Sequence, residues 1–279
     1  MADHTQAGCA WPEFAAVVLS RELRDSEVGS PGGARSEIPL AAARLAQLSH
    51  APNLALITSA VGFAINATGK RWGPLCHSTT DYRNIHAGAE AVLHFLSIFR
   101  TRRDWFFAGG LQVDTYGNLN LTAIGDIRAP KLHGPGAAGL AFAGSCATRY
   151  FIYIQEHSKR SIVDKVDYVT SMGYGAGPGD RERLGLRGGG PALVITPMAL
   201  FDFCEETRRM RLKSFHAPYT VEDVVANTGA AIIVPDDVRP TPPPTERELH
   251  LLRTQVDRDG VLGVTKSSTD VKYATAIGH

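Results

Sequence analysis

The sequence has few cysteines, no long apolar run and almost no net charge. Its four cysteines lie far apart and form no Cys-x-x-Cys pair, which favours reduced thiols over a disulfide framework or a zinc site. No uncharged apolar stretch of about 18 residues is present, so we predict no membrane span. The N-terminal residues lack the basic and apolar regions of a secretory signal, so we expect a cytoplasmic protein.

Charge and histidine spacing exclude two further classes of function. With 29 basic and 28 acidic residues, the formal net charge is +1, and no basic run is interleaved with aromatic residues. We therefore expect binding neither to nucleic acid nor to an anionic membrane surface. The histidines form no His-x-His or His-x-x-Glu-His set, which predicts no metal site.

What is present suits one large α/β domain. The chain has 279 residues, of which 44% are hydrophobic, enough to bury a sizeable core. Apolar spacing predicts helices over Trp11–Arg24, Ile38–Leu48, Ile85–Arg100, Val221–Ala226 and from Thr245 to Gln255. Apolar runs predict strands over Leu54–Thr58, Trp105–Ala108, Tyr150–Ile154, Val166–Thr170, Ala192–Thr196 and Ala230–Val234. Residues 26–36 and 62–84 are predicted to be irregular.

The order of these elements predicts a mostly parallel open sheet flanked by helices. Residues 199–204 and 209–215 add an antiparallel hairpin, and Tyr116-Gly117-Asn118 forms a turn between strands. Thr220 and Thr245 cap the helices that follow them, Thr245 with Glu248 in a capping box. After the extended linker at 239–244, we expect the single domain (1–260) to end in a flexible tail (261–279).

A glycine-rich segment, Gly134-Pro135-Gly136-Ala137-Ala138-Gly139, matches Gly-x-Gly-x-x-Gly. It does not follow a predicted strand, and Pro135 lies inside it, so a dinucleotide site is not supported. A plain loop is the simplest interpretation. Gln112, Asn118 and Asn120 lie beside glycines at strand ends, where they either satisfy turn backbone or bind a substrate by neutral hydrogen bonds.

Five segments together resemble the β subunits of the glutaconate CoA-transferase family, a branch of the class I CoA-transferases. The resemblance rests on the segment from Ala51-Pro52 to Ser59, on Gly109–Asn120, on Lys165–Ser171, on Gly177–Leu186 and on Asn227-Thr228-Gly229. It covers the chain from about Trp11 to Arg258 and implies the class I CoA-transferase fold. In that family the strand after Ala-Pro ends in the catalytic glutamate, and this chain has Ser59 at that position.

The resemblance also implies roles for the other residues. The glycine-rich loop of the family forms an oxyanion hole with backbone N–H groups, here those of Gly136 and Ala137, with Gly134 beside the substrate. Gln112, Asn118 and Asn120 fit the family's substrate-binding segment. Arg181-Glu182-Arg183 also matches the family, for subunit contact or for loop order. The implied partner is a homologous α subunit in a hetero-oligomer, the substrate is an acyl-CoA, and no cofactor beyond the CoA moiety is expected.

Serine at the glutamate position leaves the reaction open. A hydroxyl needs a base to act as a nucleophile, whereas a carboxylate is already ionised, and no Gly-x-Ser-x-Gly elbow surrounds Ser59. Relatives in this family that lack the glutamate resemble decarboxylases of 3-methylglutaconyl-CoA or hydrolases that open the ring of a steroid-derived acyl-CoA. The resemblance therefore implies C–C cleavage, as decarboxylation of a glutaconyl-CoA-type substrate or as ring-opening hydrolysis. The alternatives are CoA transfer with a nucleophile located elsewhere, and a catalytically silent scaffold subunit.

Overall fold

The computed structural model describes residues 8–32, 37–59, 63–65, 104–137 and 139–264. Its strands are β1 (Val28–Ser30), β2 (Ala55–Ser59), β3 (Phe63–Ile65), β4 (Trp105–Gly109), β5 (Gln112–Asp114), β6 (Leu119–Asn120), β7 (Ala123–Ile124), β8 (Leu132–His133), β9 (Arg149–Tyr153), β10 (Ile162–Val163), β11 (Pro191–Ile195), β12 (Ala199–Phe203), β13 (Met210–Phe215) and β14 (Arg239–Pro240). Its helices are α1 (Trp11–Ser20), α2 (Glu37–Ser49), α3 (Leu140–Cys146), α4 (Asp180–Arg183), α5 (Val221–Asn227), α6 (Glu246–Leu251), which continues as a π-helix over Leu252–Val256, and α7 (Val261–Val264).

A nine-stranded sheet in the order β14-β13-β12-β11-β9-β4-β1-β2-β3 forms the centre of the fold. The five strands from β11 to β2 are parallel to one another, and β12 and β13 add the predicted antiparallel hairpin. The predicted α/β fold class is therefore confirmed. Two small sheets, β10-β5-β6 and β7-β8, lie outside this central sheet.

Each face of the central sheet packs against its own core, which explains why its parallel strands are apolar throughout. In β4, Trp105 and Phe107 face the core that contains α1 and α2, whereas Phe106 and Ala108 face the core that contains β5 and β6. Almost every residue of α2 from Glu37 to Ala46 is buried. Small alanines allow this close packing of α2 against α1 and the sheet.

Several predicted elements differ from those observed. Helix α1 ends at Ser20 rather than Arg24, because the N–H groups of Glu22 and Leu23 bond to carbonyls only three residues back and tighten the chain into a turn. The predicted loop at 26–36 contains β1. Its central residue, Gly29, has no side chain because a Cβ there would lie 2.3 Å from Trp105. The predicted irregular segment 62–84 contains β3, and its remainder lies outside the described residues, as does the predicted helix at 85–100.

Two predicted strands, 166–170 and 230–234, do not form. Each contributes or adjoins only an isolated bridge, between Leu119 and Ser171 and between Arg211 and Ile233. The bonds to neighbouring strands are few, such as those from the Thr170 N–H to the Leu119 carbonyl and from the Ile233 N–H to the Met210 carbonyl, and other backbone groups of these segments bond to side chains. The N–H of Asp167 donates to Gln112 Oε1 and that of Ala231 to Asp164 Oδ1.

The C-terminal segment returns to the first two helices. Thr245 accepts from the N–H of Glu248 and completes the predicted capping box of α6. Arg239 and Pro240, in the predicted linker, pair with β13 as β14. The predicted tail begins with α7, whose Leu262 is buried, and residues 265–279 lie outside the described part, so the tail stays a prediction. No helix among the described residues is long and apolar enough to cross a membrane.

Candidate functional site

The carboxyl ends of the parallel strands share one edge of the central sheet. The chain proceeds outward from β1 to β2 on one side and from β4 to β9 on the other, so the strand order reverses between β1 and β4. Ligands of open α/β sheets bind at the carboxyl ends of strands beside such a reversal. Ser30 and Gly109 end the two strands that flank it. Ser59 ends β2, one strand further out, so its backbone lies at this edge too.

The glycine-rich loop is held by backbone hydrogen bonds to the turn between β6 and β7. The N–H of Gly134 donates to the carbonyl of Thr122 at 2.8 Å, and the N–H of Gly136 donates to the carbonyl of Leu121 at 3.2 Å. Gly134 must be glycine, because a Cβ there would lie 2.2 Å from the Leu121 oxygen. Gly136 has a φ of +86°, which also favours glycine.

These contacts distinguish the two predicted oxyanion donors, the N–H groups of Gly136 and Ala137. The N–H of Gly136 already has an acceptor in Leu121. The exposed Ala137 follows it, and no hydrogen bond among the described residues uses its N–H. Of the two predicted donors, Ala137 therefore offers the N–H that a ligand can reach without breaking a described bond.

Gln112 and Asn120, both predicted to bind substrate, are buried and bonded to each other. Asn120 Nδ2 donates to Gln112 Oε1 at 2.8 Å and to the carbonyl of Ala123 at 2.6 Å. Asn120 Oδ1 accepts from the N–H groups of Thr122 and Ala123. Gln112 Nε2 donates to the carboxylate of Asp167 at 3.3 Å. Both side chains therefore shape the turn that holds the glycine-rich loop, and a direct role with substrate stays a prediction.

Asn118 serves the turn between β5 and β6. Its Nδ2 donates to Asp114 Oδ2 and to the carbonyl of Gly175, and its Oδ1 accepts from the N–H groups of Gly173 and Gly175. Burial raises the pKa of the Asp114 carboxyl, although hydrogen bonds from Asn118 and Tyr116 oppose the rise. This pattern matches the first of the two roles given to Asn118, satisfying turn backbone. Asn118 precedes β6, whereas the carbonyls that hold the glycine-rich loop, those of Leu121 and Thr122, follow it.

Arg181 is a structural residue whose role the sequence left undecided between subunit contact and loop order. Its side chain is 4% exposed, and its guanidinium donates to the carbonyls of Gly188, Met172, Gly173 and Gly144. These bonds join α3 to the glycine-rich segment around α4, which is a loop-ordering role. Arg183, by contrast, forms an exposed ion pair with Asp180.

Two histidines follow strands of the central sheet: the half-buried His157 comes after β9, and the buried His216 comes directly after β13. His157 Nδ1 lies 2.7 Å from Thr196 Oγ1, and its Nε2 lies 3.2 Å from Thr228 Oγ1. Burial lowers the pKa of His157 to about 4 and that of His216 to about 3. Among the described residues, no three His, Cys, Asp or Glu side chains come together as metal ligands.

The structure thus brings Gln112, Asn120, Gly134 and Gly136 together around the turn at 120–123, with Ala137 next to them. It does not place Asn118 or the backbone of Ser59 in this hydrogen-bonded group. Sequence reasoning missed Thr170, whose hydroxyl joins the same turn. Its only sequence signal was the resemblance of the segment 165–171, which carries no residue role.

Comparison with known proteins identifies the family. The coenzyme A transferase family model matches residues 13–227. The chain is 33% identical to the B subunit of glutaconate CoA-transferase from Acidaminococcus fermentans, over 92% of this chain and 95% of that protein. It is 35% identical to the B subunit of 3-oxoadipate CoA-transferase from Pseudomonas knackmussii, over 86% and 91%.

Another relative and two solved structures share this similarity, and two of these three proteins are named for reactions other than CoA transfer. The cholesterol ring-cleaving hydrolase IpdB subunit of Mycobacterium tuberculosis is 30% identical over 77% of this chain and 82% of that protein. The crystal structure of the Acidaminococcus fermentans glutaconate coenzyme A-transferase superposes with a TM-score of 0.79 at 28% identity, covering 92% of this chain and 98% of that one. The decarboxylase AibA/AibB superposes with a TM-score of 0.76 at 23% identity, covering 91% and 98%. The chain described here belongs to the coenzyme A transferase family.

Proposed function

We propose that this chain is the β subunit of a hetero-oligomeric enzyme that cleaves a C–C bond in an acyl-CoA without forming a glutamyl-CoA intermediate. Decarboxylation of a glutaconyl-CoA-type substrate is our first choice, and ring-opening hydrolysis is the second. The observation that carries the proposal is the end of β2: the strand reaches the carboxyl edge of the sheet with Ser59, where the family resemblance expects glutamate.

The chemistry of such a reaction fits the donors available. Breaking a C–C bond next to or conjugated with a thioester moves negative charge toward the thioester oxygen. A fixed backbone N–H that points at this oxygen stabilises the charge without any carboxylate nucleophile. The N–H of Ala137 is our candidate, since that of Gly136 is bonded to Leu121.

A serine in place of glutamate also suits an acidic acyl group. Two carboxylates about 5 Å apart at an effective dielectric constant of about 20 repel each other by about 3 kcal/mol. Removing the enzyme's carboxylate would lift this penalty from a substrate that carries its own. The native substrate is therefore proposed to bear a second carboxylate or a ketone.

The partner is proposed to be a homologous α subunit. The three relatives described above are each named as one subunit of a larger enzyme, the B subunit or the IpdB subunit. In our proposal the α subunit closes the acyl-CoA site over the carboxyl edge of the sheet.

The test combines product analysis with mass spectrometry of the co-expressed complex. The complex is incubated with glutaconyl-CoA, with and without acetate, and carbon dioxide, free CoA and acetyl-CoA are measured. A parallel sample is quenched with acid, which leaves an enzyme–CoA thioester intact, and the intact mass of this chain is determined. Carbon dioxide without a mass change supports C–C cleavage, whereas free CoA without carbon dioxide would indicate thioester hydrolysis and would contradict the proposal. A CoA-sized adduct on this chain, with acetyl-CoA formed, would contradict the proposal.

CoA transfer is the second candidate, because the two relatives with the higher identities, 33% and 35%, are both named as CoA-transferases. It requires a carboxylate nucleophile at another position or on the partner. Acetyl-CoA formation with the adduct on the α subunit would be the result that favours it.

A further inference from the structure

We infer that Thr170 is a positioning residue for the glycine-rich loop, holding the N–H of Ala137 in place through the turn at 121–122. This inference deepens the proposed function and rests on it. Thr170 is 5% exposed and lies in a segment, 166–170, that forms no strand. The burial of its side chain is therefore not explained by a place in a sheet.

The Thr170 hydroxyl makes two hydrogen bonds, both to the same turn. Its Oγ1 accepts from the backbone N–H of Leu121 at 2.9 Å and lies 2.7 Å from Thr122 Oγ1. The Thr170 backbone N–H donates to the carbonyl of Leu119 at 2.8 Å. Thr170 thus contacts three positions before Ala123: the carbonyl of Leu119, the N–H of Leu121 and the hydroxyl of Thr122.

The next two peptide groups of this turn carry the acceptors that hold the loop. The carbonyl of Leu121 accepts from Gly136, and the carbonyl of Thr122 accepts from Gly134. The N–H of Leu121 shares a planar peptide unit with the carbonyl of Asn120, so its bond to Thr170 fixes the unit that precedes Leu121. Only the backbone torsions of Leu121 separate that unit from the carbonyl that accepts from Gly136, and the bond between the two hydroxyls restrains Thr122 at the next position. The hydroxyl of Thr170 is therefore one residue removed from each bond that orients the loop.

The neighbouring Ser171 holds the other end of the loop. Its Oγ donates to the carbonyl of Leu140, the first residue of α3, at 3.4 Å. A Cβ on Gly144 would lie 2.3 Å from the same Oγ, so α3 packs directly on Ser171. Thr170 therefore contacts the turn that anchors Gly134 and Gly136, and Ser171 contacts α3, which follows Gly139.

The test uses the vibration of a bound thioester carbonyl, which reports on hydrogen bonding whichever reaction follows. The co-expressed complex is loaded with glutaryl-CoA labelled with ¹³C at the thioester carbonyl, and isotope-edited infrared difference spectra are recorded. Thr170→Val removes both hydroxyl bonds at nearly constant volume, and Thr170→Ser restores a hydroxyl. Thr228→Val is the matched control, because Thr228 is also buried with a bonded hydroxyl but lies at the end of α5.

We expect the carbonyl band of Thr170→Val to move toward that of free glutaryl-CoA, with Thr170→Ser and Thr228→Val remaining like the native complex. In turnover of the native substrate, kcat should fall by about tenfold to 100-fold for Thr170→Val, while KM changes little. If Thr170→Val does not fold, Thr122→Val removes only the bond between the two hydroxyls and should move the band in the same direction by less.

Three results would overturn the inference. The first is a native-like band in Thr170→Val, or in Thr122→Val if that is the variant that folds, with glutaryl-CoA bound. The second is an equal shift in Thr228→Val, which would indicate a general loss of order. The third is an absence of glutaryl-CoA binding by the native complex, which would contradict the proposed function as well and is distinguished from the other two by the missing band.

Discussion

At the scale of single residues, the structure contains a buried cation with no carboxylate partner among the described residues. The guanidinium of Arg181 is stabilised by peptide dipoles, from four carbonyls that belong to two separate segments of the chain. A planar group with five donors can serve four acceptors in different directions, whereas the ammonium of lysine has three donors at a single point. This geometry explains why arginine stands at this position.

Replacing Arg181 should therefore weaken the fold strongly. Arg181→Met removes the guanidinium from four carbonyls, of which that of Met172 keeps the Tyr150 hydroxyl as a donor. At about 1 to 3 kcal/mol for each buried group that stays unsatisfied, we expect a loss of several kcal/mol in the free energy of unfolding. Arg183→Met is the control, because the Arg183 side chain is 67% exposed and exposed ion pairs contribute less than about 1 kcal/mol. Denaturant unfolding of the two co-expressed complexes measures both values, and equal losses would argue against this account.

His157 should make the protein sensitive to mild acid. Its pKa is lowered by burial from 6.5 to about 4, so the unfolded chain takes up the proton first as the pH falls. The stabilisation is complete above about pH 6.5 and is lost progressively between 6.5 and 4, by about 3 kcal/mol in total. His216, with a pKa lowered to about 3 by burial, acts in the same direction.

The variant His157→Gln keeps hydrogen-bonding groups at this position but cannot titrate. Between pH 7.5 and pH 5, it should lose about 2 kcal/mol less stability than the native chain, with the remaining loss due to His216 and the carboxylates. Thermal unfolding of the complex at both pH values provides the measurement. Parallel pH profiles for the two proteins would show that His157 is not the source.

Ser59 separates the candidate reactions. If the residue only makes room for an acidic substrate, Ser59→Ala should keep turnover within about tenfold, whereas a nucleophilic hydroxyl would make the loss several orders of magnitude. Ser59→Glu should weaken binding of the acidic acyl-CoA by about 100-fold, from about 3 kcal/mol of repulsion. Steady-state kinetics of the complex measures both. Unchanged turnover in Ser59→Glu would mean that this residue does not lie against the substrate.

At the scale of elements, the sequence predicted what depends on local pattern and missed what depends on distant partners. The hairpin of β12 and β13 and the caps at Thr220 and Thr245 follow from nearby residues, and the structure confirms them. Strand β1 has only three residues and includes Gly29, so no periodicity could reveal it. Its identity depends on Trp105, which is far away in the chain and fills the space beside the glycine.

The turn between β5 and β6 is an element whose sequence requirement can be tested. Gly117 has a φ of +69°, and a Cβ there would lie 2.6 Å from Pro191 and 2.7 Å from Phe203. Gly117→Ala should therefore cost more than the roughly 1 kcal/mol of an unfavourable φ. Gly179→Ala is the control, because its φ is +81° but a Cβ would meet nothing within 4 Å. Equal losses of stability in the two variants would show that packing around Gly117 is unimportant.

At the scale of the whole molecule, the two ends of the described chain are joined. The ion pairs of Arg21 with Glu248 and of Arg253 with Glu13 tie the C-terminal helices to α1, and Leu252 and Leu262 complete the core of α1 and α2.

The fold and family could be predicted from short motifs, because those motifs mark the turns and glycines that the fold requires. The hydrogen bonds that support the glycine-rich loop could not, since they join residues about 50 positions apart, such as Leu121 and Thr170.

The surface around the glycine-rich loop bears on assembly. Large apolar side chains in the segments before and after the loop are between 38% and 45% exposed, namely Ile127, Leu132 and Phe142, and Val169, next to Thr170, is 49% exposed. Apolar exposure of this kind is typical of protein–protein interfaces. It agrees with our proposal that an α subunit covers this side of the chain.

We therefore expect the chain to need its partner for activity. Expressed alone, it should aggregate or sediment as irregular oligomers and turn over no acyl-CoA, because the exposed apolar side chains lack their cover and the site lacks its second half. Co-expressed with the homologous α subunit, it should form a single hetero-oligomer with activity. Size-exclusion chromatography with light scattering and an acyl-CoA turnover assay measure the two states. In the complex, Val169→Asp places a charge among these apolar side chains and should weaken assembly. The control is Arg160→Asp, at a side chain that is 90% exposed, which should assemble normally. A monodisperse, active preparation of the chain alone would contradict the proposed division of the site between two subunits.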